Sequence, residues 1–132
     1  MENKNLNKLI GVPFRLNKKD FSGCDCRGIV CLYYQYIKNK IIPFTDSGRI
    51  FLRNRKKDKE RIISVLKTFC QPIDFKDLDE GDILLLNNFK NICVLGVCIN
   101  RRYVLHMDKH VGSCLTALHH LKDLFLIGFR PQ

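Results

Sequence analysis

The chain has 132 residues, 45% of them hydrophobic, enough for one globular domain with a single core. No apolar run approaches a membrane span, and Met1-Glu2-Asn3-Lys4-Asn5-Leu6-Asn7-Lys8 lacks the apolar centre of an export signal. With 23 Lys and Arg against 13 Asp and Glu, the net charge of +10 favours an anionic partner: nucleic acid, an acidic wall polymer or an acidic assembly protein.

In chain order, residues 1–10 carry apolar positions at Leu6, Leu9 and Ile10 and predict a short amphipathic helix, ended by Gly11 and Pro13. Residues 15–25 read as a loop. Apolar residues at 29, 30, 33, 36 and 37 then follow the helical period. They predict a buried-face helix from about 26 to 38, closing on the cations of Lys38-Asn39-Lys40. Asp25 stands at its N-cap and Cys26 in its first turn. There the dipole and free backbone N–H groups favour thiolate over thiol, which makes a cysteine nucleophilic near neutral pH. The alternative is a buried structural thiol, the reading that suits Cys31 in the same helix.

Ile41-Ile42-Pro43-Phe44 anchors the chain to the core, and Thr45-Asp46-Ser47-Gly48 is a turn. From Arg49 to Arg61 seven basic residues stand against Asp58 and Glu60. Arg53, Arg55, Lys56 and Lys57 are the candidate contacts for an anionic polymer, with a solvated helix face as the competing account. The following helix aligns 62, 66 and 69 on one face. Pro72 and the 74–79 stretch lead to a strand at 82–86 and a turn at 87–91. A β-hairpin spans 92–99 and 102–107, with Asn100-Arg101-Arg102 near its tip. A strand around 111–115, a loop with His119 and His120, and a closing strand at 124–130 complete the chain. The expected architecture is α+β, one domain over 1–132, with N-terminal helices on one face of an antiparallel sheet. The seven cysteines are expected as reduced thiols, and neither their spacing nor His119 and His120 makes a metal site; no cofactor motif is present.

Gly11-Val12-Pro13-Phe14-Arg15, followed by Gly23-x-Asp25-Cys26-x-Gly28, resembles the start of the NlpC-type cell-wall cysteine peptidases. The similarity continues in Glu80-Gly81-Asp82, in Leu95-Gly96-Val97-Cys98-Ile99, in Tyr103-Val104-Leu105-His106-Met107, and in Ile127-Gly128-Phe129-Arg130-Pro131, which looks like the phage-tail branch. The resemblance implies a papain-like fold, with Cys26 as nucleophile toward peptidoglycan stem peptides. Asp25 and Gly28 would shape the start of the helix. The family's cleft tyrosine is replaced by Phe14. Its catalytic histidine, from a His-x-Gly-aliphatic strand start, is replaced by Val94, and His106 occupies the orienting position twelve residues on.

A three-residue loop at 99–101 would pair 94 with 106, so His106 would reach the lost histidine's face displaced by about 4.5–5.5 Å. A misplacement of only about 1 Å can cost on the order of a hundredfold in rate. Two outcomes follow from the resemblance. The chain is a peptidase with His106 as an imperfect base, or it is a non-catalytic assembly or binding module of a phage tail or related particle. A basic nucleic-acid-binding protein is the third reading. Without an export signal the chain is expected in the cytoplasm or on a phage particle.

Overall fold

Strand Ile83–Asn87 is apolar at four successive positions, all buried, because both of its faces are covered. In the computed structural model, residues 6–15, 18–43, 55–87 and 93–132 are described, with backbone alone at 55–58 and 93. The elements are β1 (Lys19–Asp20), β2 (Gly23–Cys24), α1 (Cys26–Ile37), α2 (Arg55–Lys67), β3 (Cys70–Ile73), β4 (Ile83–Asn87), β5 (Cys93–Ile99), β6 (Tyr103–Asp108), β7 (Gly112–Ala117) and β8 (Phe125–Pro131). Short 3-10 turns lie at Leu6–Leu9, Phe75–Asp77 and Leu118–Leu124.

Six strands form one antiparallel sheet in the order β3-β8-β4-β5-β6-β7, and β1 and β2 make a separate small hairpin. The α+β architecture matches the expectation. On one sheet face, Ile29, Val30 and Tyr33 of α1 and Ile62 and Leu66 of α2 pack with Ile83, Leu85, Leu95, Val97, Leu105 and Phe129. On the other, Leu84, Leu86, Cys98 and Val104 pack with Leu78 and Leu118. The period-two alternation of the strands sorts these two sets. Among the described residues, no helix is long and apolar enough to cross a membrane.

Several boundaries differ from the sequence reading. The predicted first helix is a single 3-10 turn, with Leu9 as its one buried residue. The 15–25 loop contains the β1–β2 hairpin, whose Phe14 bridge to Cys24 also ties in the Gly-x-Pro segment. Cys70–Ile73 is an edge strand despite Pro72; an edge tolerates a missing donor. The turn at 45–48, and Arg49 and Arg53 of the basic segment, lie outside the described residues, as do residues 88–91 of the turn read at 87–91, whose Asn87 instead closes β4. Arg55, Lys56 and Lys57 fall on α2, with side chains likewise outside the described residues.

The Gly81-Asp82 pair has a structural basis. Gly81 takes φ +87, a conformation that costs glycine little. The buried Asp82 carboxylate accepts two bonds from Arg130, at 3.0 and 2.8 Å, and one from the Asp79 N–H. The tail strand is thereby clamped to the entry of β4. Tyr33 and Tyr34 of α1 donate to the Glu80 carboxylate and the Gly81 carbonyl, fixing helix against sheet.

Candidate active site

The start of α1 is built as its residues dictate. Asp25 is extended (φ −101, ψ −170) and its carboxylate accepts the Gly28 N–H at 2.7 Å, an N-cap bond closed inside the protein. A Cβ at Gly28 would collide with the Lys18 carbonyl oxygen and lie 2.8 Å from the Cys24 Cβ. One at Gly23 would collide with the Arg15 side chain. Gly28 lets the helix start sit flush against the β1–β2 hairpin, and Gly23 leaves room for the Arg15 side chain. Phe14 is half-buried beside that hairpin and packs on the core.

Cys26 is 2% exposed. Burial pushes its thiol up to about 12, against the opposing pull of the Leu95 backbone N–H, which bonds toward the sulfur. The expectation of a thiolate is therefore corrected. A helix N-terminus supplies about 0.3–1 kcal/mol, less than one pKa unit, whereas full burial shifts a group by up to about 3–5 units. Cys24 behind it is likewise pushed up to about 12, chiefly by burial.

The hairpin register also needs correcting. Gly96, not Val94, faces His106, and Ile99 faces Tyr103, so the three-residue turn is Asn100–Arg102. Asn100 and Arg101 take φ +55 and +61, and the Glu80 carboxylate accepts the Asn100 N–H at 2.6 Å, which holds the turn one position later than read. A slip of two residues in the pairing keeps each side chain on its face. That face is the one turned away from α1: Val94 packs against the Leu84, Leu86, Cys98 and Val104 cluster. Leu95, Val97 and Ile99 of β5 face the helix.

His106 is accordingly occupied elsewhere. Its Nε2 lies 2.7 Å from Thr116 Oγ1 and 3.7 Å from Cys114 Sγ. Among the described residues no hydrogen bond joins an imidazole to Cys26. The structure thus brings Asp25, Cys26 and Gly28 together at the helix start with Phe14 close by, and sets Val94 and His106 on the opposite side of the sheet. His119 and His120 lie in the 3-10 turn with their rings 4.2 Å apart, edge to face, on the surface. A cleft of about 430 Å³ opens between the 8–12 segment and Phe21. Its lining of Lys8, Ile10, Gly11 and Val12 carries no periodic signal that sequence reading would flag.

No protein-family model matches the sequence, and no curated protein matches it. The fold has solved counterparts. One is the NlpC/p60 domain of the peptidoglycan hydrolase SagA, with TM-score 0.64 and 14% identity over 92% of this chain and 89% of that one. Another is a lipoprotein-like member of the NLP/P60 family from Staphylococcus aureus, with TM-score 0.59 and 13% identity over 96% of this chain. This chain spans 39% of that protein. The shared feature is the fold: an α+β domain of the NlpC/p60 type.

Proposed function

We propose that this chain is an NlpC/p60-type domain that binds peptidoglycan stem peptides while its hydrolytic centre is silenced. Cys26 keeps the nucleophile's place at the head of α1. The observation that carries the reading is the setting of its sulfur: buried, with burial raising the thiol and the Leu95 N–H directed at it where an attacking thiol needs an imidazole. His106, the other residue implied in the chemistry, spends Nε2 on Thr116 and Cys114. The cleft beside Phe21 offers an exposed ring, an apolar floor and the Lys8 ammonium, a match for a short peptide ending in carboxylates.

Purified stem tripeptides and tetrapeptides serve as the test. Calorimetry should show binding without cleavage, weakened at least about tenfold by Phe21→Ala, and Cys26→Ala should leave the product trace unchanged. Turnover at about 1 per second or faster, abolished by Cys26→Ala, would restore the peptidase reading and end this one. Absence of binding at millimolar peptide would end it as well.

A further inference from the structure

On the sheet face opposite α1, β6 and β7 set a thiol against an imidazole. Cys114 and His106 are direct cross-strand partners, with Sγ 3.7 Å from Nε2, within reach of a thiol hydrogen bond. The ring also bonds the Met107 main chain in a way that favours its protonated form, a bond the ring donates. In the Nδ1–H tautomer, Nε2 is the acceptor toward the Thr116 hydroxyl and the Cys114 thiol. Burial lowers the proton affinity of His106, so the ring rests neutral. Burial, and secondarily the Asp108 carboxylate, raises the Cys114 thiol, so it rests protonated. A protonated thiol beside a neutral acceptor nitrogen is the resting pair of general-base activation.

We propose that Cys114, with His106 as its base, is a second nucleophilic centre of this chain, separate from Cys26, and that it undergoes exchange with small disulfides. The proton of Cys114 passes to His106 Nε2 as the sulfur attacks one sulfur of the disulfide. A mixed disulfide forms on Cys114, the incoming S–S bond breaks, and the released thiolate takes the proton from His106.

The site selects this chemistry over acyl transfer. Acyl transfer needs N–H donors aimed at a developing oxyanion. Ser113 turns its N–H and C=O outward to Val12 and Gly11. Alternation along β7 therefore turns the Cys114 N–H inward to its partner His106. Displacement at sulfur needs no such donors. Access also distinguishes this thiol: Cys24, Cys26, Cys70 and Cys98 are buried, while Cys114 and Cys31 are half-buried.

Oxidised glutathione is the probe, with modification followed at neutral pH by peptide mass mapping of the full chain. Cys114 should be thiolated first, at least about tenfold faster than Cys31. His106→Gln should slow Cys114 by about a hundredfold, the loss of one general base, and leave the Cys31 rate within about twofold. That second rate reports any general loosening of the fold. Thr116→Val, which removes the competing hydroxyl from Nε2, should raise the Cys114 rate and provides the test if His106→Gln fails to fold. Equal rates at Cys114 and Cys31, an unaltered Cys114 rate in His106→Gln, or no rise in Thr116→Val would overturn the proposal.

Discussion

A histidine placed at position 94 tests what the hairpin register means for chemistry. By motif alone Val94→His restores the missing base. By geometry the new ring enters the Leu84, Leu86, Cys98 and Val104 cluster, with the sheet between it and Cys26. The expected result is no gain of stem-peptide cleavage and a loss of about 1–3 kcal/mol in stability from burying a polar ring among aliphatics, read from the urea midpoint. Gain of cleavage would show that β5 presents position 94 to the helix start after all. Residue identity was enough to single out Cys26 and Asp25, since capping is decided within one helical turn. It could not reveal that the thiol is protonated, because desolvation depends on what covers it, and that is supplied by residues from elsewhere in the chain such as Leu95.

At the scale of elements, the docking of α1 on the β1–β2 hairpin depends on Gly28. Alanine there gains roughly 1 kcal/mol of helix propensity but meets the Lys18 carbonyl and Cys24. Overpacking against backbone costs about 3 kcal/mol, so Gly28→Ala is expected to destabilise by a net 2 kcal/mol or so in chemical denaturation. An unchanged midpoint would mean that the hairpin yields. The glycine spacing was legible in the sequence, and its cause was not, because the 15–25 stretch lacks the length and alternation that mark a strand. The antiparallel meander was legible from its alternating and apolar runs. The turn at 100–102 was misplaced by one residue because Asn100 and Arg101 adopt left-handed backbone under the hold of Glu80, twenty positions away.

Over the whole molecule the free thiols give stability a pH dependence. Burial first of all raises Cys24, Cys26 and Cys70 to about 12 and Cys98 to about 11. Tyr33 and Tyr34 shift in the same direction, also chiefly by burial. In the unfolded chain these thiols ionise from about pH 8.5–9. A group with a raised folded value contributes stability fully below its unfolded pKa and loses it as pH climbs toward the folded one. Stability should therefore hold up to about pH 8.5 and fall by at least about 2 kcal/mol by pH 10.5, seen as a lower urea midpoint. A flat midpoint across that window would mean that the thiols are less buried than described.

Helices α1 and α2, strands β4 to β8, the N-cap and the glycine-framed helix start were determined by the sequence itself, because propensity, capping and periodicity act over a few neighbouring residues. Which sheet face each strand residue takes against α1, whether Cys26 meets water or an imidazole, and the meeting of Cys114 with His106 were decided only in the tertiary structure. Those outcomes depend on strand register and burial, and both are set by contacts between residues far apart along the chain.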